Sequence, residues 1–122
     1  MANRNKQRGN ELERALVQEA KEAGLSAIRA WGSNGRALGE AETVDCIVDN
    51  VRIQAKRRKK LPEYLQVPEG ADIVVFRQDR YEPLALIPYS EWLRLRLLVS
   101  KLEDLKKNDD NDKKEPTTTN NP

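Results

Sequence analysis

Residues 43–56 read TVDCIVDNVRIQAK. Apolar residues recur at every second position on both sides of Asp49-Asn50, a pair that tolerates the left-handed backbone of a tight two-residue hairpin turn. Folding the stretch at that turn sets Val48 against Val51, Cys46 against Ile53 and Val44 against Ala55, one wholly apolar face. On the other face Asp45 falls opposite Gln54 and Thr43 opposite Lys56, with Ile47 and Arg52 nearer the turn. Alternation alone therefore predicts a strand pair whose dry face packs inward and whose other face carries an acid, an amide and a lysine.

Upstream, SAIRAW (26–31) reads as a short strand, and GSNGRALGEAE (32–42), with three glycines and no periodicity, as a flexible loop. NELERALVQEAKEAG (10–24) predicts a helix with Asn10 as its cap and Gly24 where a C-terminal glycine belongs. Leu12, Ala15, Leu16, Ala20 and Ala23 share one side of it, and residues 1–9 form a basic, loose arm. Downstream, LPEYLQVPEG (61–70) has room for no more than a short helix between its prolines. ADIVVFR (71–77) and PLALIP (83–88) read as an antiparallel strand pair. From Ser90 a helix follows, striped by Trp92, Leu95, Val99 and Leu102 and widened by Leu93 and Leu97; that broad face either closes the core or makes a dimer. The predicted organisation is one α/β domain over 10–106, an αβββ core followed by two strands and a C-terminal helix, with a disordered polar tail over 107–122.

The 122 residues, 34% charged and 38% apolar, suit one ordinary domain. No apolar run approaches the roughly 20 residues that cross a bilayer, and MANRNKQRGN carries no apolar stretch behind its charges. A cytoplasmic protein is expected, in the host cytoplasm if the source is a phage. With one cysteine and no histidine, an internal disulfide, a Ser-His-Asp triad and His-based zinc sites are excluded. The net charge of +2 hides clustering: Arg4, Lys6 and Arg8 form one basic block and Lys56 to Lys60 (KRRKK) another. Such clusters are what binding to a phosphate backbone requires, because each neutralised phosphate releases counterions.

Metal-assisted phosphodiester hydrolysis needs hard oxygen ligands for Mg²⁺ and a cation beside the reacting phosphate. Asp45 offers a carboxylate, Gln54 an amide oxygen and Lys56 the cation. A further carboxylate is available on the first helix. Glu13 lies in the arc that turns toward the sheet and Glu11 just outside it; Glu13 is preferred, although Glu19 shares the arc. Aspartate is disfavoured in strand interiors, which favours a functional reading of Asp45. Gln54 and Lys56 alone would pass for the wet face of a strand, Cys46 for a small core residue and Trp92 for packing.

An acid on the first helix, then an aspartate and a [D/E]-x-K strand motif, here Asp45 and Gln54-Ala55-Lys56, resembles the PD-(D/E)XK nuclease superfamily. Within it, RGNELERALV, AWGSNGR, VDCIV and IQAKRRKKLP are similar, in order over residues 6 to 62, to the archaeal-type Holliday junction resolvases. The resemblance implies a restriction-endonuclease-like fold with a central mixed β-sheet flanked by helices, a homodimer, Mg²⁺ dependence with Mn²⁺ as a substitute, and paired nicks across branched, four-way DNA. It implies catalytic roles for Glu13, Ser33, Asp45, Gln54 and Lys56, and metal ligation by Glu13, Asp45, Gln54 and the carbonyl of Ala55. Arg4, Lys6, Arg8, Arg36, Arg57, Arg58, Lys59 and Lys60 would contact DNA phosphates. Gln54 departs from the pattern, which has glutamate there; some members of the wider superfamily carry glutamine. Two alternatives stand beside the resolvase: a nuclease of the same fold acting on flaps, nicks or duplex ends, and a non-catalytic DNA-binding module in which Gln54 marks a decayed site.

Overall fold

The computed structural model describes residues 4–30 and 39–114. Helix α1 (Arg4–Glu22) leads into three short strands, β1 (Ala27–Arg29), β2 (Cys46–Val48) and β3 (Val51–Ile53), then a 3-10 turn at Glu63–Leu65. Strands β4 (Val74–Phe76) and β5 (Leu84–Leu86) precede the long helix α2 (Tyr89–Lys114). The order is the αβββ core, two strands and C-terminal helix that the sequence predicts.

The hairpin forms at its predicted turn, with Asp49 and Asn50 at φ 48° and 66° and with Val48 paired to Val51, Ile47 to Arg52 and Cys46 to Ile53. Positive φ at both central residues is the backbone whose twist matches that of the strands it joins. Strand β1 adds on the other side of β2, Ala27 against Val48 and Arg29 against Cys46. The turn is anchored twice from outside the hairpin: the Asp49 N–H donates to the Ser26 carbonyl at 2.8 Å, and Arg96 of α2 donates to Asp49 Oδ2 at 2.8 Å.

Three expectations are corrected. First, the segment read as a loose arm, residues 1–9, is helical from Arg4 onward, because Asn10 does not cap the helix: its side chain accepts a hydrogen bond from Arg29 in the helix interior. Second, the helix expected to end near Lys106 runs on to Lys114, through a stretch in which Glu103 precedes Lys107 by four residues, the helix-supporting order of charges. Third, the mixed sheet is absent among the described residues, where β1-β2-β3 and β4-β5 form two separate antiparallel sheets. A parallel neighbour for β3 would need a crossover of a dozen or more residues, normally a helix. Between β3 and β4 the chain has only the 3-10 turn, bracketed by Pro62 and Pro68, with Tyr64 packed edge-on to Phe76 at 6.4 Å.

Helix α1 ends where predicted. Gly24, at φ 95°, donates to the Lys21 carbonyl while Leu25 donates to that of Ala20, both at 3.0 Å. This paired closure brings Leu25 back onto Ala20, and both join Val48 and Leu93 in the core. The buried stripe of α1 is Glu13, Val17 and Ala20, rotated from the predicted one, so that Leu12 and Leu16 are half-buried and Ala15 is exposed. In α2, Leu93 is buried and Tyr89, Trp92 and Leu97 pack on the core, with the Tyr89 hydroxyl donating to the Leu16 carbonyl at 2.8 Å. Leu95, Leu98, Leu102 and Leu105 lie on the opposite side of the same helix and are exposed, as is Val99 between the two sides.

Candidate active site

Glu13 occupies a core-facing position of α1, four residues before Val17, and at 4% exposure it is the buried charge among the described residues. Burying a carboxylate there costs several kcal/mol unless it is paired. Arg29 provides the pairing. It pairs with Cys46 across the β1-β2 ladder, so its side chain shares the inward face; its Nε donates to Glu13 Oε2 at 3.0 Å and its Nη2 to Asn10 Oδ1 at 2.9 Å. Glu11, the alternative acid on this helix, is exposed and receives Arg57 Nη1 at 3.1 Å; Glu19 is exposed as well.

Asp45 is held from both neighbouring strands. Its carbonyl accepts the Ala30 N–H and its N–H donates to the Ile53 carbonyl, each at 2.8 Å. Ile53 already pairs with Cys46, so two consecutive residues oppose one, the count of a β-bulge. The strict alternation that sets Asp45 across from Gln54 and carries strand pairing on to Lys56 therefore fails at this step. Instead Asp45 Oδ2 accepts the Ala55 N–H at 2.7 Å, a side chain taking a ladder donor, and β3 ends at Ile53.

Burial pushes the Cys46 thiol up to about 11, with the charges of Glu13 and Asp45 adding to the effect. Cys46 is fully buried, as its apolar face requires.

Gln54 and Lys56 are exposed on the rim of an open groove of about 650 Å³, between Leu12 and Leu16 of α1, the Val51–Lys56 segment, and Ala85–Ile87 with Tyr89 and Trp92. Lys56 also borders a second recess, shared with Glu11, Arg57 and Arg58, and Lys59 and Lys60 are exposed beyond it. Arg4, Lys6 and Arg8 fall within α1. Ser33 and Arg36 lie outside the described residues.

The Glu13 and Asp45 carboxylates, the Gln54 amide and the Ala55 carbonyl are oxygen donors of the hard type that Mg²⁺ accepts, but the groove that Gln54 lines includes neither acid. Among the described residues no three His, Cys, Asp or Glu side chains stand together as a metal-binding group. The donor types fit a Mg²⁺ ion.

The sequence model of the archaeal Holliday junction resolvase (Hjc) family matches residues 4–114, the span from the first residue of α1 to the last of α2. The chain belongs to that family. It is a Holliday junction resolvase, a structure-specific DNA endonuclease of DNA recombination and repair, and its family implies the PD-(D/E)XK fold. The family's resolvases bind four-way DNA junctions and are in general metal-dependent. No helix among the described residues is long and apolar enough to cross a membrane. A search of curated proteins and a search of solved structures return no match to the chain.

The two residues that hold Glu13 in place, Arg29 directly and Asn10 through Arg29, escape the sequence reading. The available signal was an arginine inside an otherwise apolar short strand, which must find an acid if its position faces inward. Reading it requires the β1-β2 register, which no turn in the sequence specifies.

Proposed function

We propose that this resolvase cuts strands of like polarity at a four-way junction in a Mg²⁺-dependent reaction, with one site per subunit of a homodimer. Glu13, Asp45, Gln54 and the Ala55 carbonyl hold the cation. When bound, the ion supplies positive charge to the scissile phosphate and a water acidic enough to attack near neutral pH. Arg29 pairs with the buried Glu13 and orients it, and the Ala55 N–H fixes the Asp45 carboxylate. Lys56, at the groove rim, donates its ammonium protons to a phosphate oxygen as charge builds in the transition state. Ser33, in the glycine loop, completes the site on the family pattern.

Phosphates along the arms are held by Arg57, Arg58, Lys59 and Lys60, with Arg4, Lys6, Arg8 and Arg36 extending the basic surface. Selectivity then follows junction shape, since phosphate contacts carry no base identity. The reaction takes place in the cytoplasm, of the host if the source is a phage. Support for the homodimer comes from the second apolar stripe of α2, Leu95, Leu98, Val99, Leu102 and Leu105, all exposed.

The observation that carries the site assignment is the 2.7 Å hydrogen bond from the Ala55 N–H to Asp45, which ties the aspartate to the Gln54-Ala55-Lys56 segment. Asp45→Asn and Lys56→Ala are expected to abolish Mg²⁺-dependent junction cleavage while retaining junction binding. Cleavage at the wild-type rate by either variant contradicts the assignment.

A further inference from the structure

Helix α1 and the segment after β3 border an open recess of about 420 Å³, the size of a small-molecule site. Its apolar lining is Leu12 and Ala15 of α1 with Leu61, which is 42% exposed, and its cations are Lys56, Arg57 and Arg58. A continuous duplex offers a protein mainly its phosphates and keeps its bases stacked inside, so the cations suit it and the apolar lining does not. A base turned out of the stack suits both, its face on the apolar side chains and its flanking phosphates on the cations. Arg57 supplies a second argument. As a mere counter-charge for DNA it would gain nothing from an acid beside it, yet its Nη1 donates to Glu11 Oε2 at 3.1 Å. That pairing reduces the charge on offer and restrains the guanidinium at the border of the recess, which suits a planar group on which a base stacks. Lys56 lines both this recess and the groove that Gln54 borders, so a nucleotide seated here adjoins the phosphate that Lys56 engages.

We propose that this recess takes one unstacked base of the junction, seated on Leu12, Ala15 and Leu61 and stacked on the Arg57 guanidinium, while Lys56 and Arg58 hold the phosphates on either side of it. Turning a base out of a duplex is costly, and least so where pairing or stacking is already interrupted, as at a branch point. The recess therefore favours a junction over a continuous duplex without reading base identity. The inference rests on the reading of residues 56–60 as a DNA contact, and the experiment separates the two.

The probe is a set of four-way junctions carrying 2-aminopurine at successive positions beside the branch point, bound by the full chain without divalent cation so that the DNA stays whole. Fluorescence is expected to rise about threefold at one position and to stay flat on a linear duplex, because the base leaves its stacked neighbours and meets no aromatic ring among the residues lining the recess. Ala15→Phe, at an exposed position of α1, fills the recess, and Arg57→Lys keeps the charge but not the plane. Both are expected to lose the rise, while Arg57→Lys keeps the slope of log junction affinity against log salt concentration. Arg57→Ala is expected to make that slope shallower by about 0.9, the share of one phosphate contact. Melting curves verify that the variants are folded. No rise with the wild type, or its full retention by either Ala15→Phe or Arg57→Lys, overturns the inference, and a shallower slope in Arg57→Ala then leaves the phosphate contact standing. Unchanged affinity and slope in Arg57→Ala overturn both.

Discussion

The main-chain N–H of Ala55 donates to the carboxylate of Asp45 at 2.7 Å, in the place where an antiparallel ladder would use a backbone carbonyl. One hydrogen bond thus stops β3 at Ile53, fixes the rotamer of the aspartate, and frees Gln54 and Lys56 from strand pairing to line the groove. Asp45→Asn keeps an acceptor oxygen for Ala55 and is expected to change stability by no more than about 1 kcal/mol. Removing the charge should lower kcat by about 100-fold or more, the scale of losing one preorganised electrostatic group. Thermal melting and single-turnover cleavage read the two effects separately.

The pair Glu13–Arg29 is expected to be the most sensitive polar contact in the fold. Arg29→Met leaves a buried carboxylate without its guanidinium and should destabilise the protein by about 2–3 kcal/mol, read from urea unfolding. Because the penalty is that of the orphaned charge, the double variant Glu13→Gln/Arg29→Met should lose less than the sum of the two single changes. Strict additivity contradicts the pairing.

Alkaline pH should weaken the fold through two buried groups. Burial pushes the Cys46 thiol up to about 11, with Glu13 and Asp45 adding to it. Burial likewise pushes the Tyr89 hydroxyl, bonded to the Leu16 carbonyl, up to about 12, with lesser contributions from Cys46 and Glu19. For both, the unfolded chain releases its proton at lower pH than the folded protein, so the stabilisation is complete below the unfolded values and is lost as pH rises through the folded ones. Melting temperature should fall from about pH 9 upward, less steeply in Cys46→Ala and Tyr89→Phe. The same burial predicts that Cys46 reacts with a thiol reagent only after unfolding.

At the hairpin turn, Asn50 sits at φ 66°, a conformation glycine adopts without strain and β-branched residues do not. Asn50→Gly should be neutral or slightly stabilising, and Asn50→Val should cost about 1–2 kcal/mol. Equal melting temperatures for the two variants contradict the turn geometry.

The outward stripe of α2 predicts self-association. Leu98→Glu with Leu102→Glu should shift the sedimentation coefficient toward that of a monomer without lowering the helix content, because both side chains are exposed at 48% and 65%. A monomeric wild type at micromolar concentration contradicts the dimer.

The hairpin was legible because its turn residues and its alternation agree, and Val44, Cys46 and Val48 are all buried as the pattern requires. Alternation counts positions and is blind to side-chain hydrogen bonds, so it missed the bulge at Asp45. Asn10 carries the chemistry of a helix cap, yet Arg29, distant in sequence, claims its side chain and lets α1 begin at Arg4. The inward position of Glu13 is legible from its place on the helix arc, while the arginine that makes a carboxylate tolerable there belongs to a strand whose register the sequence leaves open. In α2 periodicity merges the leucines into one broad face; three-dimensional placement splits them into a core side at Leu93 and Leu97 and an open side from Leu95 to Leu105.

The most direct test of the central claim is a denaturing gel of an end-labelled synthetic four-way junction, beside a linear duplex of matching sequence, each incubated with the protein and Mg²⁺. Symmetric nicks on opposing strands of the junction, with the duplex intact, are the predicted result. Junction and duplex cut alike, or a junction bound but left whole, would contradict it.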